Sequence, residues 1–206
     1  MSAPAPLRIR RTGAASRERG IALVTSLLLL IIITILALSM FRGFGSQEKI
    51  AGNLREKDRA LHAAESAQQY AEWWLLQGTN AALGSVPCAA PVLNANLGQG
   101  QVCNQTLPSA LGLTGQPVIN APLPWTLGVT YTPPNMSTTA GQNGANGDPP
   151  YFASPGFYVA DLGPAADGAG EAYQIDAYGY GGASTTVAIV ESSYEVSQGV
   201  VNRGGL

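Results

Sequence analysis

The sequence has few of the residues that catalysis and metal binding require. Its 206 residues include one histidine, His62, and two cysteines. No phosphate-binding loop, dinucleotide fingerprint or recognisable nucleophile motif occurs, and we recognise no histidine–carboxylate pair close to His62 in sequence. A packed or solvated helix position therefore explains His62 better than a catalytic base does. The sequence predicts no enzyme, no cofactor and no bound metal.

Positive charge is also scarce over most of the chain. Beyond position 60 the only basic residue is Arg203, against nine acidic residues, so this region carries a net charge of about −8. Such a field repels the phosphate backbone of DNA and RNA. The composition therefore excludes nucleic acid as a favoured partner of this region.

Charge is absent altogether from one stretch near the start. From Ile21 to Phe41 there are 21 residues without an ionisable side chain. As a helix this stretch is roughly 31 Å long, which is enough to cross the hydrocarbon core of a bilayer. Its polar residues are hydroxyl-bearing and are expected to bond back to the helix backbone: Thr25, Ser26, Thr34 and Ser39. Five arginines precede Ile21 and only Arg42 follows closely, which predicts a cytoplasmic N-terminus with the remainder across the membrane.

The two cysteines, Cys88 and Cys103, fall on the exported side of this segment. An even number of cysteines in an exported domain favours a disulfide, which would stabilise the fold by roughly 3 kcal/mol for a loop of this length. Two reduced thiols or half of a metal site remain the alternatives.

A helical pattern continues beyond the apolar stretch. Apolar residues recur here at spacings of three and four residues, which predicts an apolar stripe on one face of a helix. The stripe consists of Ile50, Leu54, Leu61, Ala64, Ala71 and Leu75, and near its end Trp73, Trp74 and Leu76 make it wider. A second face consists of small residues that allow a sheet or another helix to approach closely, namely Ala60, Ala63, Ala64 and Ala67. Gly78 is the predicted stop. Gly43, Gly45 and Gly52 weaken the helix, either as a tolerated kink or as a place of local melting.

The distal half of the chain has the pattern of β-strands. Alternating residues predict strands over 125–132, 156–162, 171–180 and 185–196, with a loop over 138–150. The last two strands are separated by Gly181-Gly182-Ala183-Ser184, which predicts a hairpin. Residues 78–124 give no clear period and predict only short turns.

Two groups of side chains in this half have alternative interpretations. Asp161, Asp167, Glu171 and Asp176 flank a glycine-rich loop, but their spacing does not match a calcium-binding loop, which favours a solvated acidic loop. The tyrosines at strand spacing form either an exposed adhesive face or part of the core and cross-strand pairs: Tyr173, Tyr178, Tyr180 and Tyr194.

The start of the chain resembles the class III signal of type IV pilins and pseudopilins. A basic leader ends at Gly20 and is followed directly by the apolar stretch. In that family the prepilin peptidase cuts after the glycine and methylates the new first residue, so the resemblance implies cleavage between Gly20 and Ile21 and N-methylation of Ile21. Most pilins carry glutamate at the fifth mature position, where this chain has Thr25.

Three blocks in order narrow the resemblance to PilX-type minor pilins: Ala51 to Arg55 (AGNLR), Ala60, and Ala63 to Ala67. The strand around Tyr173, Ile175 and Ala177 and the ending Glu191 to Tyr194 resemble the C-terminal piece of the same proteins. The middle of the chain carries no such resemblance.

The resemblance implies an α+β, pilin-like fold in which a long N-terminal helix packs on an antiparallel sheet. The expected parts are a leader (1–20), a transmembrane helix half (21–41), an amphipathic helix half (42–77) and a periplasmic β-rich domain (78–206). It implies a single-pass inner-membrane protein with a periplasmic C-terminus that later joins the pilus fibre. The implied partners are the prepilin peptidase, other minor pilins, the major pilin and a tip adhesin.

The predicted function is a minor pilin that helps to initiate type IV pilus assembly. In pilins the fifth-position glutamate pairs with the N-terminal amine of a neighbouring subunit, so a chain with Thr25 there is predicted to be a tip-proximal subunit. The alternative is that threonine costs little free energy in lipid and that helix packing alone is sufficient for assembly. Two other functions stay open, a minor pseudopilin of type II secretion and a membrane-anchored periplasmic adhesion module.

Overall fold

The computed structural model describes residues 18–81, 84–88, 92–94, 100–166 and 168–197. Within these ranges the helices are α1 (Glu18–Leu75) and the short α2 (Leu107–Ala110), with a 3-10 turn at Val118–Asn120. The strands are β1 (Val92–Asn94), β2 (Leu127–Thr130), β3 (Gly156–Pro164), β4 (Gly170–Tyr180) and β5 (Val187–Ser197). The predicted α+β class, a long N-terminal helix with an antiparallel sheet, is confirmed.

The chain divides into two compact units, with the boundary between Ala51 and Gly52. In the first unit, the described part consists of α1 from Glu18 onward, and the helix is uninterrupted at Gly45. Its side chains from Ile21 to Phe41 are exposed, apart from a half-buried Ala37. This part of the helix therefore has an apolar surface that no other described residue of its unit covers.

The second unit is built on one sheet with the strand order β1-β2-β3-β4-β5. The short β1 runs parallel to β2, and each of the other neighbouring pairs is antiparallel. β4 and β5 pair along their whole length, from Gly170 opposite Ser197 to Tyr180 opposite Val187, as the glycine-rich turn between them predicts. The four predicted strands are confirmed, whereas β1, α2 and the 3-10 turn lie in the stretch where the sequence predicted only short turns.

The C-terminal part of α1 packs its alanine face on this sheet. Ala60, Ala64, Ala67 and Ala71 are fully buried. A Cβ atom placed on Gly179 of β4 would lie 2.7 Å from the Cβ of Ala63, so the sheet approaches the helix too closely for a side chain there. The predicted close approach at the small-residue face is confirmed.

The predicted apolar stripe is wrong at its N-terminal members. Leu54 and Leu61 keep 57% and 39% of their surface exposed, and Ile50 is exposed in the first unit. Trp73 and Leu76 are exposed as well, while Trp74 and Leu75 are buried. The spacing of the residues predicted that the larger side chains face the sheet, but the sheet contacts the face that has the smallest ones.

The helix ends at Leu75, and Gly78 adopts a positive φ of 54° in the following turn, as the predicted stop requires.

A second core covers the other face of the sheet. Trp125, Leu107 and Val118 come from the segment between β1 and β2 and pack on Tyr158, Tyr178 and Tyr180. The first core, on the helix side, holds Phe157, Val159, Tyr173, Ile175 and Ala177. The central strands are thus buried on both faces, and the segment that the sequence left unassigned forms a third layer.

Candidate assembly surface

Most of the exposed large apolar side chains among the described residues lie on the first part of α1. Here α1 is long and apolar enough to span a membrane, and it is the one such helix found in the described part of the chain. Ile21 and Phe41, at the ends of the apolar stretch, keep 70% and 74% of their surface exposed. Such a surface is suited to contact with lipid or with other apolar helices.

The hydroxyl groups in this stretch are all bonded to the backbone of the same helix. Thr25 Oγ1 donates to the Ala22 carbonyl oxygen at 3.0 Å, and Ser26 Oγ donates to that of Leu23 at 2.9 Å. Thr34 and Ser39 do the same with Ile31 and Ile35. The prediction from the sequence is confirmed, and Thr25 presents neither a charge nor an unsatisfied donor to its surroundings.

The predicted processing junction lies inside α1. The helix begins at Glu18, two residues before Gly20, and a Cβ atom on Gly20 would meet nothing within 4 Å. Ile21, the predicted site of N-methylation, is exposed. Cleavage and methylation stay predictions, and most of the leader lies outside the described residues.

Glu56 and Arg59 form a clasp that joins α1 to two loops of the second unit. Glu56 Oε2 accepts a hydrogen bond from the Gly182 backbone N–H at 2.6 Å, in the turn between β4 and β5. Glu56 Oε1 accepts another from Arg59 Nη1 at 2.8 Å. The Gly182 N–H lowers the pKa of the Glu56 carboxyl below its usual value, against the opposing effect of partial burial, and Arg59 lowers it further.

Arg59 extends this clasp to the loop before β3. Its Nη2 donates to the carbonyl oxygens of Pro149 and Pro150 at 2.6 and 3.2 Å. Its guanidinium lies 4.4 Å from the centroid of the Tyr151 ring, within cation–π range. Sequence reasoning missed this role, although an acid and a base three residues apart on a helix were a usable signal.

The predicted disulfide between Cys88 and Cys103 is present, with the two Cα atoms 5.4 Å apart. Cys103 is held against β3, since its N–H donates to the Val159 carbonyl oxygen and its own carbonyl oxygen accepts from Asp161 N–H. The bond therefore attaches the segment around Cys88 to the central sheet.

His62 and Glu65 form a pair that the sequence analysis did not recognise. His62 Nδ1 lies 3.2 Å from Glu65 Oε2, one turn along α1, and 74% of the histidine side chain is exposed. The interpretation of His62 as a solvated helix residue is thus confirmed. The prediction that no carboxylate close in sequence pairs with His62 is wrong. The exposed pair has no nucleophile bonded to it among the described residues.

The acidic residues near the β3–β4 loop do not share one environment. Asp161 Oδ1 accepts from Gly163 N–H at 2.7 Å, and Glu171 lies on β4. Asp176 is fully buried, so its assignment to a solvated acidic loop is wrong. Asp167 lies outside the described residues. Across the part of the chain that the structure describes, no three acidic, histidine or cysteine side chains come together as metal ligands.

The interpretation of the tyrosines as an exposed adhesive face is also wrong. Tyr173, Tyr178 and Tyr180 keep 3%, 3% and 4% of their surface exposed. Tyr194 is partly buried and lies opposite Tyr173 across the strand pair. The alternative from the sequence, core and cross-strand packing, is confirmed.

Comparison with known families finds a match to the first part of the chain. Residues 19–68 match the family model described as PilX N-terminal. This range contains the Gly20–Ile21 junction, the apolar stretch and the Glu56–Arg59 clasp, and it confirms the PilX-type resemblance over these residues. No curated protein and no solved structure matches the chain.

Proposed function

We propose, because residues 19–68 match the family model described as PilX N-terminal, that the chain is a minor pilin that helps to initiate type IV pilus assembly. The observation that carries this proposal is the uncovered apolar part of α1, which begins directly after Gly20. A helix of this kind has two compatible environments, the inner membrane before assembly and a bundle of like helices in the fibre afterwards.

Initiation is the step at which a few such subunits have the greatest effect. Moving one apolar helix out of lipid is unfavourable unless other apolar helices replace the lipid contacts. A small cluster of minor pilins offers those contacts before the fibre exists, and the major pilin then adds to it. The partners in this proposal are other minor pilins, the major pilin, the prepilin peptidase and a tip adhesin, with the C-terminal unit in the periplasm.

Thr25 supports a position at the tip. A carboxylate inside an apolar bundle is costly unless it meets a cation, so a pilin with glutamate there gains by docking beside the amine of a neighbouring subunit. Thr25 has its hydroxyl bonded to the Ala22 carbonyl oxygen and needs no such neighbour. A subunit without this requirement is suited to be placed first, with later subunits added beneath it.

The N-terminal mass of the mature protein tests the pilin assignment directly. We expect a chain that starts at Ile21 with one added methyl group. An intact leader would instead favour an uncleaved anchor and contradict the assignment.

A deletion strain then tests initiation: we expect surface pili to be lost, and to return in part when pilus retraction is also blocked. Normal piliation in the deletion strain would contradict the role.

Thr25→Glu tests the tip position. We expect this variant to appear along the fibre and in more copies per pilus, because the new carboxylate pairs with the amine of a neighbouring subunit. Thr25→Val is the matched control and should behave as the natural protein, since the hydroxyl it removes serves only the Ala22 carbonyl oxygen. Labelling of isolated pili gives position and copy number, and an unchanged tip location for Thr25→Glu would refute the argument.

The same proposal assigns no catalytic role to the chain. His62 is the only histidine, and it lies exposed on α1 beside Glu65. We expect His62→Ala to retain full piliation, and a variant that assembles pili poorly while remaining stable and exported would contradict this.

A further inference from the structure

In the part of the chain that the structure describes, β5 forms one edge of the sheet. β5 has 11 residues and pairs with β4 along all of them, but no other strand among the described residues pairs with its opposite side. Unpaired backbone N–H and C=O groups on such an edge are a template for another extended chain.

Several devices that usually protect an edge are missing from β5. It contains no proline and no lysine, and its register with β4 is continuous. Its charged residues are two glutamates, Glu191 and Glu195, which are both exposed and lie on the same face of the strand.

This charge pattern disfavours pairing with a second copy. If two β5 strands paired with each other, four carboxylates would lie along the junction and no base would be present in any register. Asp176, which lies opposite Glu191 on β4, adds another acidic group to the same face. Like charges on neighbouring strands destabilise their pairing, whereas basic residues on an added strand would stabilise it.

A polar groove lies beside Glu191 on this face. It has a volume of about 500 Å³, and its lining combines the apolar Pro108, Pro117 and Val118 with side chains that can accept hydrogen bonds, namely Thr106, Ser109, Gln116, Gln174 and Glu191. Among the described residues that line it, Glu191 alone is charged, and Gln174 also donates to the buried Asp176 at 3.0 Å. A lysine or arginine side chain matches this groove in charge and in hydrogen-bonding capacity.

We propose that β5 accepts an extended segment of a partner protein that carries lysine or arginine at alternating positions, with one of these basic side chains in the groove beside Glu191. The backbone edge supplies the attachment, and the two glutamates with the groove select a basic strand over a neutral or acidic one. This inference concerns the second unit only and is independent of the assembly role proposed for α1.

Synthetic peptides test the proposal on the full-length protein in detergent micelles. The probes are nine-residue acetylated peptides in which threonine alternates with lysine, with glutamine or with glutamate. We expect the lysine peptide to bind best by fluorescence anisotropy and to slow hydrogen exchange of the amides in 187–197. Neutralising both glutamates, by Glu191→Gln with Glu195→Gln, should weaken its binding roughly two- to thirtyfold.

A matched control separates a specific edge from general attraction between charges. Glu48→Gln with Asp58→Asn removes two exposed carboxylates from α1 and changes the net charge equally. This control should bind the lysine peptide as the natural protein does. Three results would each overturn the proposal, whatever the outcome of the pilus experiments. They are equal binding of the glutamine and lysine peptides, an equal loss of lysine-peptide affinity in the control variant, and binding that does not slow hydrogen exchange of the β5 amides.

Discussion

At the scale of single residues, Asp176 has the environment least expected for an acidic side chain. It is fully buried on β4, between Tyr158 of β3 and Glu191 of β5 in the strand register. Gln174 Nε2 donates to both of its carboxylate oxygens, at 3.0 and 3.3 Å. The pKa of Asp176 is raised to about 6, chiefly by burial and to a lesser extent by the nearby Glu191, against the lowering effect of the hydrogen bonds from Gln174.

This environment predicts stability that increases as the pH falls. In the unfolded chain the carboxyl has its usual pKa of 3.8, so between pH 6 and 4 the folded state binds the proton more tightly. The free energy of unfolding should rise by up to roughly 3 kcal/mol over that window. Asp176→Asn should remove this rise and stabilise the protein at pH 7.5. Urea unfolding across pH 4 to 8 measures both effects, with the exposed Asp148→Asn as the control that keeps the pH dependence. A variant less stable at pH 7.5 would contradict the argument.

Asp176 also shows where reading the sequence reached its limit. Its neighbours Tyr173, Ile175 and Ala177 alternate, and this pattern correctly predicted β4. Asp176 itself was assigned to a solvated acidic loop, because it lies near a glycine-rich segment of the sequence. It is buried because the chain from 103 to 125, which has no periodic pattern, covers it. The sequence therefore predicts the strand but not the layer that lies on it.

At the scale of elements, the contact between α1 and the sheet combines a close approach with a polar clasp. Alanine spacing predicted the close approach, and Gly179 of β4 completes it. The larger residues Leu54 and Leu61 stay exposed because side chains of that size would hold the sheet further from the helix. The spacing of Glu56 and Arg59 signals an ion pair on the helix, but it does not identify their partners, which depend on where the turn at Gly182 and the loop at Pro149 meet the helix.

Arg59→Ala should release this clasp. The change removes two hydrogen bonds to the carbonyl oxygens of Pro149 and Pro150 and the ion pair with Glu56. We expect the free energy of unfolding to fall by about 2 kcal/mol, as is typical of hydrogen bonds to a charged group, and the amides of the loop before β3 to exchange faster. Hydrogen exchange and urea unfolding of the full chain measure these effects.

Two further variants define the contribution of Arg59. Arg59→Lys keeps the charge but lacks the planar fork, so it should restore only part of the stability. Arg55→Ala, one turn earlier and exposed, removes the same charge without a contact to the loops and should leave stability nearly unchanged. If Arg55→Ala and Arg59→Ala lowered stability equally, the clasp would have no specific role.

At the scale of the whole molecule, the two units make different demands on their surroundings. The first, with its exposed apolar helix, is suited to lipid or to contact with other apolar helices. The second has two cores and one covalent cross-link, between Cys88 and Cys103. A disulfide forms in an oxidising compartment, which agrees with the export that the basic N-terminus predicts.

Reduction should therefore weaken the second unit by a defined amount. The disulfide joins residues 15 apart in the chain, and opening a loop of this size lowers the free energy of unfolding by about 3 kcal/mol. A reductant added to the natural protein should lower its stability to that of Cys88→Ser with Cys103→Ser, and should not affect this double variant. Because the Cys103 backbone stays bonded to Val159 and Asp161, the sheet should remain formed while amides near Val86 exchange faster. Unchanged unfolding after verified reduction would show that the cross-link adds nothing to the contacts that already hold this segment on β3.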